Sequence, residues 1–477
     1  MEVLKYIHLQ EKGDADVFAE IYKDKLIYDH EEDSWYIFNG HIWQRDRCKK
    51  VYNLIERIAL AYELEVNQMG LQPNEGLYRF YRARINSLRK RAGIKSVLDL
   101  ASAKLSLEQE WDANPYLLAV KNGIIELKTG ELRTGQPQDY IRNCSKTEWK
   151  GLEEPAPRFE QFLQEIFNND QDLIDFMQRL LGYSLTGLSV EHVFPVFYGA
   201  EGRNGKDTLL KLICKILGDN LAGPVSKEVL LSGMKNPGAS APFLFELHNK
   251  RLVYADETSE GAAFDEGQIK MLSGGAPFQA KKLYQQPITI HPQYLMIMTT
   301  NNKPKIDADD PAIWERILLV PFEQRFIESP QYDNEHPVDK FLDEKLEAEM
   351  SGVLAWLVKG CLEWQKRKSF DAPESVKFAT EAYKDENDSI GKFIKDELLL
   401  DDEQRTQVTK LYDHYCDYCA GNAFPKLGKR EFTKKLDAQG IERRRFSEGY
   451  CYIGITRKLT LDEEVEVWLE QAQTASK

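Results

Sequence analysis

No run of about eighteen or more uncharged apolar residues occurs anywhere in the 477 residues, so no segment reads as a membrane-crossing helix. The opening Met1 to Lys12 lacks the apolar core and small-residue cleavage site of a signal peptide, and the expectation is a cytoplasmic protein without a membrane partner. Cysteine is scarce. The seven (Cys48, Cys144, Cys214, Cys361, Cys416, Cys419 and Cys451) are odd in number and scattered, without disulfide-framework spacing, which suits a reducing compartment. Cys416-Asp-Tyr-Cys419 has no second pair to complete a zinc site, and helical spacing accounts for it. Positive charge is in deficit: 63 Lys and Arg stand against 77 Asp and Glu, a net charge of −14. That excludes a protein coating nucleic acid with its whole surface and leaves room for local basic patches. Internal repeats and low-complexity tracts are absent as well.

What remains is an ordinary globular composition, 42% hydrophobic and 29% charged, with length for about three domains. The organising stretch is Val193 to Leu210, V-F-P-V-F-Y-G-A-E-G-R-N-G-K-D-T-L-L. Strand-like residues lead into three glycines, then Lys206, then Leu209, Leu210, Leu212, Ile213 and Ile216 at helical spacing. Polyphosphate needs closely approaching backbone N–H groups, which glycines permit, a lysine for the outer phosphates and the positive end of a helix. Gly202, Arg203, Asn204, Gly205, Lys206, Asp207 and Thr208 are therefore the candidate nucleotide-binding residues. The loop departs twice from the usual spacing: Ala200 stands where a glycine is wanted, and Asp207 follows the lysine where Ser or Thr is wanted. Thr208 as a neutral hydroxyl or Asp207 as a carboxylate could face a magnesium ion. An Asp207 that does not bind metal should cap the helix or point away.

In chain order, residues 1–155 read as an N-terminal α+β domain. A helical opening precedes three short strand runs, a small meander in which Trp35, Tyr36, Phe38 and Trp43 fit core better than a base-stacking platform. Helices follow to about Leu107, with a basic cluster (Arg82, Arg84, Arg89, Lys90, Arg91) that fits a solvated helix surface, then two strands at Leu117 to Val120 and Gly123 to Leu127. Residues 156–366 read as an α/β domain: a helical pair, the loop, and apolar strands at 251–257, 287–292, 293–302 and 316–322. Asp339 to Arg367 has amphipathic helix spacing, and 367–388 reads as a linker. In 389–477, three helices followed by a strand pair give the winged-helix order. Ten basic residues against four acidic ones from Gly421 to Thr460 make this the electrostatic outlier. Lys429, Arg430, Lys434 and Lys435 lie on its third helix and Arg443, Arg444 and Arg445 at its wing, a candidate DNA surface weighed against a basic but purely structural domain.

The residues that carry chemistry lie between. Asp256 and Glu257 end an apolar strand about fifty residues after Lys206. Triphosphate hydrolysis needs one carboxylate for Mg²⁺ and another to orient water, so Asp256 joins Thr208 as a metal candidate. Asn301, at the tip of another strand, suits either a γ-phosphate sensor or a turn residue. Arg316 is placed to reach a phosphate in a neighbouring subunit or to form a surface ion pair with Glu315 or Asp310, with Arg325 as the second choice.

Taken in order, N-G-K-D-T, Y-A-D-E, I-K-M-L-S-G-G-A-P-F-Q-A-K-K-L-Y, T-T-N-N-K-P and W-E-R-I-L-L-V-P-F resemble superfamily 3 helicases of the phage, plasmid and poxvirus primase-helicase type. The stretch W-D-A-N-P-Y-L-L-A-V-K-N-G-I-I-E-L-K-T-G-E-L resembles the domain that precedes the ATPase in those proteins. The resemblance implies an AAA+ type P-loop core working with ATP and Mg²⁺ as a hexameric ring, moving 3′ to 5′ on single-stranded DNA for replication of a phage or other mobile element. It assigns Lys206 and Thr208 to the phosphate loop, Asp256 and Glu257 to the acidic pair, Asn301 to the sensor and Arg316 to the finger. Lys281 and Lys282 fall in the hairpin that grips DNA. Single- and double-stranded DNA and a primase or other replication protein are the implied partners. A primase half is not evident in the chain itself. The alternative is an origin-binding initiator whose ATPase controls assembly while a partner unwinds. A non-catalytic DNA-binding protein with a relic loop is disfavoured, because acidic pair, sensor and finger candidates all remain.

Overall fold

The computed structural model describes residues 3–231, 244–256, 263–281, 287–306, 310–422 and 426–458. At its centre is a five-stranded, all-parallel sheet of β1 (Phe194–Tyr198), β2 (Ala222–Val225), β3 (Leu252–Asp256), β4 (Leu295–Thr300) and β5 (Ile317–Pro321), in the spatial order β5-β1-β4-β3-β2. Parallel strands buried on both faces read as continuous apolar runs, and these do. Phe197, Ile297, Leu252 and Val320 face one core with helices Pro157–Ile166, Gln171–Tyr183, Lys206–Leu217 and Met350–Arg367. Phe194, Val196, Val253, Met296, Met298 and Leu319 face a second core closed in part by helix Glu266–Ser273.

Proline has a positional logic here. Pro195 sits in an interior strand without an N–H, but it is paired only toward Leu318 of β5, because the β1–β4 ladder begins at Val196. Pro224 lies in β2, the outermost strand, where a missing donor costs no ladder bond. Gly223 and Pro224 are also why β2 does not announce itself in the sequence.

Helix Gln171–Tyr183, which leads into β1, packs on Met350–Arg367 through a glycine contact. A Cβ on Gly360 would overlap the Gln178 carbonyl, and one on Gly182 would overlap the Cys361 amide. Neither neighbour is a flexible side-chain end, so the helices would have to part. Gly360→Val is expected to lower unfolding free energy by about 1–3 kcal/mol or more, measured by denaturant titration.

Three sequence expectations are corrected. Residues 287–292 do not join the core sheet: Ile288–Ile290 pairs antiparallel with Phe278–Ala280 as a separate two-stranded ribbon. The single helix expected over Asp339 to Arg367 is two, Leu342–Ala348 and Met350–Arg367. The linker expected at 367–388 contains a 14-residue helix, Glu374–Asn387. It buries Val376 and Tyr383 against the body, and its Thr380 hydroxyl accepts the Leu319 N–H at 2.9 Å.

The N-terminal region has the expected meander, Leu26–Asp29, Ser34–Phe38 and Trp43–Arg45, in that spatial order. Trp43 and Tyr36 are buried against Trp111, so these aromatics are core. A second meander runs Leu117–Val120, Gly123–Glu126 and Glu131–Arg133. In the basic cluster between them, Arg82, Arg84 and Arg89 are ion-paired with Glu63, with Glu11 and Asp14, and with Glu56 and Glu63.

The C-terminal region contains helices Ser389–Glu397, Val408–Gly421 and Lys429–Ala438 around Phe393, Tyr415, Phe432 and Tyr452. Its sheet places Gly449–Arg457 between Arg443–Phe446 and an unexpected strand, Leu398–Gln407. No described helix is long and apolar enough to cross a membrane.

Candidate functional site

The loop after β1 is held by close contact at both ends. A Cβ on Gly199 would collide with the Asn204 amide, and one on Gly205 would come within 2.6 Å of Ile166 Cγ2. Gly202 (φ 68°) and Gly205 (φ 84°) take left-handed backbone, and Gly205 is the N-cap from which helix Lys206–Leu217 starts. Arg203, also left-handed at φ 53°, is exposed, whereas Asn204 is buried. Lys206 is only 4% exposed, yet its ammonium is satisfied: Nζ donates to Asn204 Oδ1 at 3.0 Å and to Asn301 Oδ1 at 2.7 Å. Asn301 and Lys206 are ninety-five residues apart in the chain. Parallel pairing explains their meeting, since Thr300 is in register with Tyr198 and places the ends of β4 and β1 side by side.

One strand further, Thr299 is in register with Asp256, and its hydroxyl donates to Asp256 Oδ1 at 2.9 Å. Asp256 is exposed at the end of β3. Burial pushes the Tyr254 hydroxyl up to about 12, and the negative charges of Asp256 and Asp207 reinforce the shift. Both carboxylates thus act on the same face of β3. Asp207 is exposed and Thr208 half-buried in the first helical turn. Glu257 lies outside the described residues.

The carboxyl edge of the sheet therefore gathers the loop, Lys206, Asn301 and Asp256, which is where open α/β sheets bind ligands. A glycine cradle, an ammonium at a helix N-terminus and a carboxylate one strand away fit a magnesium–polyphosphate group. Thr299, which orients Asp256, gave no sequence signal beyond its place in T-T-N-N.

Arg316 is at the other edge. It precedes β5, and its carbonyl accepts the N–H of Phe194, the first residue of β1, at 2.6 Å. A strand length of about 15 Å separates it from the loop of its own chain. Its Nη1 donates to Ala312 O at 2.6 Å, its Nε is buried without a partner among the described residues, and Asp310 is engaged by Lys270 instead. Arg325 lies beside its own loop, 3.0 Å from Glu201 and 3.2 Å from Glu335. That placement sets it beside the loop of its own chain, unlike Arg316.

Lys281 is exposed directly after the ribbon strand Phe278–Ala280, and Lys282 is outside the described residues. On helix Lys429–Ala438, Arg430 and Lys434 are exposed one turn apart, Lys429 bonds the Thr409 hydroxyl at 2.9 Å, and Lys435 is half-buried. Along Arg443–Phe446 the side chains alternate, so the three arginines do not share one face. Arg443 pairs with Asp437, Arg444 pairs with Glu442, and Arg445 is exposed.

Comparison with known proteins assigns three parts of the chain. Residues 15–168 match the family described as D5 N terminal like, 197–316 a family of unknown function, and 385–446 the family described as Poxvirus D5 protein-like. Among curated relatives is "Putative helicase L207/L206" of Acanthamoeba polyphaga mimivirus, 26% identical over 81% of this chain and 43% of that protein. Another is "Putative primase C962R" of African swine fever virus (isolate Tick/Malawi/Lil 20-1/1983), 20% identical over 62% of this chain and 32% of that protein. The two D5-type matches and these relatives together support a primase-helicase family of the superfamily 3 type. The chain spans less than half the length of these curated relatives. A solved structure, the apo C-terminal region of NrS-1, matches this chain over 94% of its length and 99% of the other, with a TM-score of 0.52 and 12% identity. That likeness concerns the fold: a mixed α/β body with a parallel sheet and an α+β region before it.

Proposed function

We propose that this chain is the motor portion of an ATP-dependent DNA helicase serving replication of a virus or mobile element. The observation that carries the reading is the Lys206–Asn301 hydrogen bond at the carboxyl edge of the parallel sheet, with Asp256 one strand away. In this reading the body is an AAA+ type core and the loop is its P-loop. Lys206 supplies a fixed positive charge for the outer phosphates, Asn301 senses the γ-phosphate through the bond it now makes to Lys206, and Thr208 or Asp207 with Asp256 holds Mg²⁺. Glu257 is assigned to orienting water. Bound Mg²⁺ and ATP supply the phosphoryl-transfer chemistry. A cavity of about 410 Å³ next to the loop, lined by Ile166, Phe167, Tyr198, Pro321 and Phe378 among others, is of a size to take the base.

Because Arg316 lies at the opposite sheet edge, the reading requires a second copy to bring its guanidinium to the site, hence a ring, taken as a hexamer. Lys281 and Lys282 are assigned to gripping phosphates in the channel without reading sequence. The C-terminal region, with helix order and basic third helix as described, is read as a winged helix whose Arg430 and Lys434 face duplex DNA. Relatives named as primases support association with a primase or other replication protein.

The test is strand displacement by the purified chain with ATP and Mg²⁺, using partial duplexes with a 3′ or a 5′ single-stranded tail. ATP-dependent displacement from the 3′-tailed substrate is expected. ATP hydrolysis and tight binding to one particular duplex without displacement would instead favour the origin-binding initiator.

A further inference from the structure

Arg325 opens the short strand Arg325–Ile327, just past the carboxyl end of β5 and so on the same side of the sheet as the glycine-rich loop. The next residue fastens that strand to the loop, with the Phe326 N–H donating to Arg203 O at 2.9 Å. Asn301 flanks the loop elsewhere, 3.7 Å from where a Cβ on Gly202 would be. The Arg325 guanidinium meets two carboxylates of very different standing. Glu335, whose side chain is 4% exposed, is fixed by the amides of Gln331 at 2.7 Å and Tyr332 at 3.2 Å. Glu201, whose side chain is 66% exposed, belongs to the loop itself. Arg325 Nε is buried with no hydrogen-bond partner among the described residues.

We infer that Arg325 is a phosphate ligand of its own chain's nucleotide site, and that Glu201 is the anion it gives up when a triphosphate enters. The inference rests on the reading of the loop as a triphosphate site. A carboxylate at the tip of such a loop repels a polyanion unless a cation lies between them. Arg325 is that cation, and Glu335 anchors it from behind so that it cannot swing away into solvent. A terminal phosphate offers three acceptor oxygens and more charge than a carboxylate, and a planar guanidinium suits it. The exposed partner is then the one exchanged. A diphosphate leaves the outer position vacant, and Glu201 keeps its hold. The pair thus discriminates tri- from diphosphate in the same chain, a task separate from that of Arg316 at the far edge.

The test is calorimetric binding of the β,γ-imido analogue of ATP, and of ADP, to the full chain with Mg²⁺. Arg325→Gln is expected to weaken the triphosphate analogue about tenfold or more and ADP by much less. Glu201→Gln removes the competitor and is expected to tighten the analogue severalfold while leaving ADP unchanged. That gain has no explanation if the pair is merely a clamp on the loop. A Glu201→Gln variant that binds the analogue as weakly as Arg325→Gln, or an Arg325→Gln variant that loses both nucleotides equally, would overturn the exchange. If Arg325→Gln unfolds, Glu201→Gln decides alone. Lys206→Ala separates the two levels. Binding lost there but untouched in Arg325→Gln refutes the exchange only, whereas no nucleotide binding by the unaltered chain refutes the site and the exchange together.

Discussion

Lys206→Ala is expected to reduce ATP turnover by roughly 10²–10³-fold or more, the size of effect seen when one fixed stabilising group is removed from a site of developing charge. The substitution removes a buried ammonium that donates to Asn204 and Asn301 from different segments, so it breaks the joint between the loop and β4 as well as the proposed phosphate contact. Steady-state hydrolysis with and without single-stranded DNA measures this, with circular dichroism to show that the fold survives. Retained DNA-stimulated turnover would sink the motor assignment.

Arg316→Ala should be as severe, roughly 10³–10⁵-fold in turnover, while leaving nucleotide affinity in the isolated chain nearly unchanged. The split follows from position, because a group at the amino end of β5 lies a strand length from its own loop and, in the proposed reading, acts from a neighbouring copy. Mixing the two inactive variants makes the point directly. A Lys206→Ala copy still offers Arg316, an Arg316→Ala copy still offers Lys206, and each such junction rebuilds one complete site. Partial recovery of hydrolysis on mixing is the expected result. No recovery at any ratio would place the finger elsewhere.

The parts of the site legible in the sequence are those whose signal is local. β1, the loop and helix Lys206–Leu217 follow one another without interruption, so strand propensity, glycine and helical spacing all point the same way. Asn301 suits a turn residue or a sensor from sequence alone, and the structure places it just past the end of β4, where it accepts from Lys206. β2 stayed hidden because an edge strand tolerates Gly-Pro, which reads as a turn. Ile288–Ile290 has the apolar run of a core strand, and only its antiparallel partner reveals that it leaves the sheet. Helix Glu374–Asn387 read as a linker because it buries only two residues seven apart, with charge between. Leu398–Gln407 was concealed by its acidic middle, where the pairing shifts register between Leu400 and Arg405. Arg325 and Glu201 met only in three dimensions.

Helix Glu374–Asn387 has one more effect. Right after Asn301 and Asn302, Lys303 pairs with Glu386 at 2.7 Å, Pro304 O accepts from the Tyr383 hydroxyl, and the Ile306 N–H donates to Asn387 Oδ1 at 3.0 Å. Asp388 alone then separates this helix from Ser389–Glu397, and its carboxylate caps the latter by accepting from the Gly391 N–H. The basic C-terminal unit is therefore joined to the sheet's carboxyl edge through a packed helix rather than through a long open linker. It follows a helix whose anchoring contacts, at Lys303, Pro304 and Ile306, lie two to five residues past Asn301, the acceptor of Lys206.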